Sequence, residues 1–290
     1  MFVPSLSEAA LLKDVTSMEL TGVDSGPLDS SDLTLSLWVN YSQPIFALVH
    51  SPRSYFKAML TFIDKEDLSI DSMHNMGSIY WPSTLRQVSL GYILHARVDW
   101  MALPISLERL TLGGYFNQSI DSVAWPLSLT YLTLGCFFNQ PIASVVWPTH
   151  LLSLTFGYYF NRPITDVVWP SSMLELTFLG AFNKPVTTAV WPDSLLQLSF
   201  GDYFNQPIVD AVWPTSLLRL AFGDVFDQPI VDVTWSPSLL QLSFEGGFNQ
   251  PIAKVLWPAS LIRLVFGEHF DHPIQHVKWS VCLQSISFGY

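Results

Sequence analysis

The residues richest in chemistry lie between 268 and 276, where Glu268, His269, Asp271, His272 and His276 combine the imidazole and carboxylate ligands favoured by zinc and related metals. Their spacing fits no pair on one helical face, Pro273 stiffens the run, and Lys254 falls one 22-residue period before His276 and opposes a cation. A solvated turn is expected there, with no metal and no cofactor. Acids also recur at that period, as Asp202, Asp224 and Glu268 and again as Asp166, Asp210 and Asp232. Carboxylates stacked about 5 Å apart would suit calcium, but Gly246, Thr188 and Lys254 interrupt the two columns. They are expected to form a solvated edge. No nucleophile motif, phosphate loop or metal signature is found, so no catalytic residue is assigned and the chain is expected not to be an enzyme.

The element that must carry these residues is a repeat. Aligned on Trp-Pro, position 1 falls at Trp81, Leu103, Trp125, Trp147, Trp169, Trp191, Trp213, Trp235, Trp257 and Trp279, and every step is 22 residues. A fixed period in this range marks a solenoid. The alternating Leu-x-Phe at positions 8 to 10, as in Leu198-Ser199-Phe200, suits a short strand. Gly at position 11 permits a turn that a side chain would hinder. Pro at positions 2 and 17 excludes a helix from the return path, which is expected to be extended. Apolar positions 1, 5, 8, 10, 14, 18 and 21 are predicted to face inward. One coil buries too few side chains to offset the ordering of its own backbone, so the coils must stack, Trp, Phe and Leu each against the same residue of the next.

The phrase LxxLxFGxxFNQPI, recurring with small variations in at least six coils, resembles the FNIP repeat family, a relative of the leucine-rich repeats. The resemblance is strong over 103–290 and weak over about 28–102. It implies a parallel-strand solenoid used for protein binding and implies no activity. The predicted fold is therefore mainly β: a right-handed, leucine-rich-repeat-like solenoid of 22-residue coils with a non-helical return side. Residues 1–80 are expected to hold degenerate first coils and a cap, with YSQPIFALVHSP at 41–52 as a worn copy, and residues 81–290 the regular repeat as one continuous domain.

Charge and composition narrow the partners. The chain has 290 residues, 13 Lys+Arg against 24 Asp+Glu and a formal charge of -11, which disfavours nucleic acid and anionic lipid surfaces. No apolar run is long enough for a membrane span, and MFVPSLSEAALLKD has neither a basic nor an apolar leader region, so a cytoplasmic or nuclear location is expected. Cys136 and Cys282 lie too many coils apart for a disulfide.

Two columns stand out as sites. Position 15, Asn117, Asn139, Asn161, Asn183, Asn205, Asp227, Asn249 and Asp271, is expected to cap peptide groups as a structural ladder, with the two Asp coils held less tightly for want of an amide donor. Position 7 varies most in chemistry on a fixed scaffold. Its Arg109, Tyr131, Glu175, Gln197, Arg219, Gln241 and Arg263 are assigned as a protein-binding strand face for an unidentified protein partner. The alternative is an assembly subunit that self-associates end to end through the carboxyl-terminal coil, where Leu283, Ile286 and Phe288 lack a polar cap. The Ser/Thr column at position 9 lacks the paired regular columns of an ice- or polysaccharide-binding surface.

Overall fold

A computed structural model describes residues 86–89 and 103–289, together with the backbone of three strands at 17–19, 33–38 and 44–49. The chain divides into two compact units, Met1–Phe138 and Asn139–Tyr290. The boundary expected near residue 80 lies outside the described residues.

In the first unit, β1 (Ser17–Glu19) pairs in parallel with β4 (Gln87–Ser89) and antiparallel with β2 (Leu33–Trp38), which pairs antiparallel with β3 (Pro44–Val49). The segment expected as a worn coil at 41–52 is thus built differently. Its Pro44–Val49 is a hairpin strand, whereas the corresponding residues of a regular coil lie on the return path. The physical reason is the strict alternation of Leu33-Thr34-Leu35-Ser36-Leu37, which supports a longer strand than a coil uses. Regular coils then follow, β4 pairing in parallel with β5 (Arg109–Thr111) and β5 with β6 (Tyr131–Thr133).

The second unit contains β7 (Ser153–Phe156), β8 (Glu175–Phe178), β9 (Gln197–Ser199), β10 (Arg219–Phe222), β11 (Gln241–Phe244), β12 (Arg263–Phe266) and β13 (Ser285–Phe288). Consecutive strands pair in parallel with a register shift of one period, as in Leu198, Leu220, Leu242 and Leu264. No described residue is helical. Both units are therefore parallel-strand β-solenoids over their regular coils.

Three tight turns bend each coil. From Trp213, the N–H of Leu217 donates to the carbonyl of Pro214, that of Phe226 to Gly223, and that of Val233 to Ile230, at 3.1, 3.2 and 3.3 Å. Each turn delivers a buried apolar side chain to the interior. In the coils from Leu103 to Trp235, the positions predicted to face inward are buried, apart from the half-buried Trp125; in the coil from Trp257, Trp257, Leu261, Leu264 and Phe266 are buried, Phe270 and Val277 half-buried and Ile274 exposed. Within the second unit Phe178, Phe200, Phe222, Phe244 and Phe266 form one column, with successive rings 5.5 to 6.0 Å apart. Phe182, Phe204, Phe226 and Phe248 form another at 6.0 to 6.2 Å, and the two columns touch within each coil, as at Phe222 and Phe226, 4.2 Å apart. Offset stacking of this kind adds to the area buried. The Trp column stacks similarly, Trp191 on Trp213 at 6.5 Å, yet seven buried indole N–H groups, from Trp125 to Trp257, meet no acceptor. Burial and ring packing alone hold that column, and each orphan donor subtracts from it.

Glycine at position 11 has a different reason from the one expected. Gly223 needs no left-handed backbone; instead a Cβ there would sit 2.6 Å from the carbonyl carbon and oxygen of Gly201 in the preceding coil. Close approach of coil on coil excludes the side chain. The two coils with Leu179 or Glu245 at position 11 place their glycine one residue later, and those glycines, Gly180 and Gly246, are the ones with positive φ, 42° and 24°.

Candidate functional site

Strand geometry fixes the position-7 face. Successive strand residues alternate, and β10, β11 and β12 each read exposed, buried, half-buried, buried, so position 7 points outward while positions 8 and 10 point in. Arg109, Arg219, Gln241 and Arg263 are exposed; Tyr131, Glu175 and Gln197 are half-buried. In the second unit Glu175 faces Gln197 in register, followed by Arg219, Gln241 and Arg263. Gln197 Nε2 donates to Glu175 Oε1 at 2.9 Å, which fixes both side chains. Arg219 and Arg263 flank Gln241 and keep their guanidinium groups outward. In the first unit, separately, the guanidinium of Arg109 lies over the Tyr131 ring, 3.6 Å from its centroid.

The position-15 ladder is present and its chemistry is sharper than expected. Oδ1 of Asn139, Asn161, Asn183, Asn205, Asp227 and Asn249 each accepts the backbone N–H of the same position in the next coil, at 2.8 to 3.0 Å. Gln206, Gln228 and Gln250 donate Nε2 to that same oxygen at 2.9 Å. What the column requires is an acceptor. Asp227 fills that role as the asparagines do, accepting from the N–H of Asn249 at 2.8 Å and from Gln250 Nε2 at 2.9 Å, so the amide donor that Asp lacks is not what these bonds use. Asn117 is exposed, and Asp271 belongs to the last full coil.

A second ladder was missed. Ser216 at position 4 donates Oγ to the carbonyl of Leu195 in the preceding coil at 2.8 Å, Ser194 to Met173 at 2.6 Å and Ser260 to Leu239 at 2.8 Å, while Ser172 reaches both Thr149 and Leu151. In the first unit Ser128 does the same to Ile105 and Leu107. Recurrence of Ser in WPxSL was the available signal.

The remaining candidates do not converge. His269 Nδ1 lies 3.1 Å from the carbonyl of Gly246 and His272 Nε2 3.2 Å from that of Asn249, each on its own backbone partner. Among the described residues no three His, Cys, Asp or Glu side chains are grouped to hold a metal ion. Asp166, Asp210 and Asp232 are exposed on the return side. Both cysteines are free, Cys136 half-buried and Cys282 exposed. No helix among the described residues is long and apolar enough to cross a membrane.

Coils of this length, parallel strands and side-chain ladders define a leucine-rich-repeat-like β-solenoid. Residues 101–137, 138–180 and 182–224 match the FNIP Repeat model, so this stretch consists of FNIP repeats. Among solved structures the chain is similar to CroV588, described as a novel circular LRR protein, with 32% identity and a TM-score of 0.50 over 74% of this chain. It spans 38% of that protein's length. No curated protein matches the chain.

Proposed function

We propose that the protein is a non-catalytic repeat scaffold that binds a protein partner through its strand face. The observation that carries this reading is the outward position-7 column of the second unit. There an invariant backbone register presents Glu175, Gln197, Arg219, Gln241 and Arg263, chemically mixed, while the residues on either side of them repeat. A surface that varies on a scaffold that does not is how one coil design comes to recognise a particular partner, and Arg is enriched at binding hot spots. The regular strands are short and their turns tight, which supports binding by a flat face over catalysis in a pocket.

The test compares capture from native lysate by the parent protein and by Arg219→Ala with Arg263→Ala. Loss of a reproducible partner with an unchanged melting temperature supports the strand face, because exposed substitutions cost less than about 0.5 kcal/mol. Retention in that variant, with loss on changing Asp166, Asp210 and Asp232 to Asn, places binding on the return side instead.

A further inference from the structure

The coils beginning at Trp147, Trp169 and Trp191 depart from one another at the turn after the strand, where positions 12 and 13 read Tyr158-Tyr159, Gly180-Ala181 and Asp202-Tyr203. The small middle pair leaves room, and an aromatic ring takes it. A Cβ on Gly180 would lie 2.6 Å from Cγ and Cε2 of Tyr158, so the Tyr158 ring sits directly on that glycine. From there it meets both neighbours at steep angles, Tyr159 at 5.1 Å and 75° and Tyr203 at 6.2 Å and 90°. The Tyr158 ring is thus set across the rings of two neighbouring tyrosines at this turn. Tyr159 and Tyr203 are 46% and 51% exposed, too open for a core role.

The charge around these rings has one sign. Asp202 adjoins Tyr203, with Asp224 and Glu245 following along the same edge, and none of the three acids has a cation within ion-pair distance among the described residues. Their mutual effect is felt: partial burial, then Asp224 and Asp202, hold the Glu245 carboxyl above its ordinary value. A hydrogen bond to Tyr203, with burial and the nearby Asp202, pushes Tyr158 up to about 12. The edge is thus aromatic, preorganised and short of positive charge.

We propose that Tyr158, Tyr159 and Tyr203, with Asp202, form a receptor for the guanidinium of an arginine carried by a basic protein segment. A planar, weakly hydrated guanidinium stacks on aromatic faces and pairs with a carboxylate at once, which a compact ammonium does less well. The chain already shows the contact internally, where Arg109 lies over Tyr131. A second copy of the chain is a poor occupant, since its formal charge of -11 repels the same edge. This turn is distinct from the strand face, so either assignment can fail without the other.

The experiment is an NMR and calorimetric titration of the full chain with hexa-arginine, hexa-lysine and hexa-citrulline peptides. Affinity is expected to fall in that order, with the arginine side-chain methylene resonances shifted upfield by the rings. Tyr159→Ala and Tyr203→Ala should each weaken hexa-arginine about two- to fivefold, Tyr203→Phe should retain binding, and Asp202→Asn should weaken it; Arg219→Ala should leave it unchanged. Binding by both Ala variants equal to the parent, or equal binding of hexa-citrulline, overturns the proposal, because the first leaves only diffuse attraction to an acidic surface and the second leaves no cation to recognise.

Discussion

The backbone N–H of Asn249 donates to Oδ1 of Asp227 at 2.8 Å, and the N–H of Asp227 donates to Oδ1 of Asn205 at 3.0 Å. One oxygen per coil thus ties each turn to the next, and the amide nitrogen of the asparagine is not what the ladder uses. The consequence is best tested at Asn161, whose ladder neighbours Asn139 and Asn183 are uncharged. Asn161→Asp should keep the bond and stay within about 0.5 kcal/mol of the parent. Asn161→Leu leaves the N–H of Asn183 without its acceptor and should cost about 1 to 3 kcal/mol by urea denaturation. Equal losses in the two variants would contradict the acceptor role.

Close stacking of coils makes a similar demand on Gly223. A methyl group there meets the backbone of Gly201, which cannot swing aside as a side chain would. Gly223→Ala should destabilise by about 1 to 3 kcal/mol, whereas Asp224→Ala, one residue on and exposed, should change stability by less than about 0.5 kcal/mol. Thermal melts of the two variants side by side decide the matter.

Much of this was readable in the sequence because the repeat supplies its own evidence. Trp213, Leu217, Leu220, Phe222, Phe226, Ile230 and Val233 recur at fixed spacing, and all are buried. The second Val of the V-V pair also recurs but points outward, 74% exposed at Val212, and repetition alone did not distinguish the two. Roles that depend on what lies one coil away were harder to read. The Ser216 bond to the Leu195 carbonyl and the seat of Tyr158 on Gly180 join residues 21 and 22 positions apart, and neither is encoded in the local pattern of a single coil. The hairpin of Leu33–Trp38 and Pro44–Val49 was missed for the opposite reason, since its local alternation was subordinated to a faint likeness to the repeat.

Glu245 offers a test by pH. Partial burial and the negative charges of Asp224 and Asp202 raise its folded-state pKa, so the protonated carboxyl suits the fold better than the carboxylate. Its contribution is therefore fully present below the ordinary carboxyl range and is lost as pH rises through the raised value. Glu245→Gln keeps the neutral shape, and it should melt higher than the parent near pH 7 and together with it near pH 3. A variant that gains nothing near pH 7 would show that the three acids do not strain one another.

Interface coupling makes the strongest demand on the second unit. The coils from Trp169, Trp191 and Trp213 join one another through the same strand register, the same Asn and Ser bonds and the same Phe columns, so a whole period should be removable there without breaking any of them. Deleting residues 191 to 212, one period of 22, joins Val190 to Trp213 and brings β8 beside β10, with Glu175, Leu176 and Phe178 opposite Arg219, Leu220 and Phe222. Asn183 then accepts from the N–H of Asp227, and Ser216 finds the carbonyl of Met173 where Leu195 had been. Removing 11 residues from the same place instead sets strands against return segments and Phe against polar turns. The full-period deletion should keep the β circular dichroism signal and a cooperative melt at a somewhat lower temperature, and the half-period deletion should lose both. Equal loss of signal in the two deletions would mean that the coils are not interchangeable units stacked by nearest-neighbour contacts.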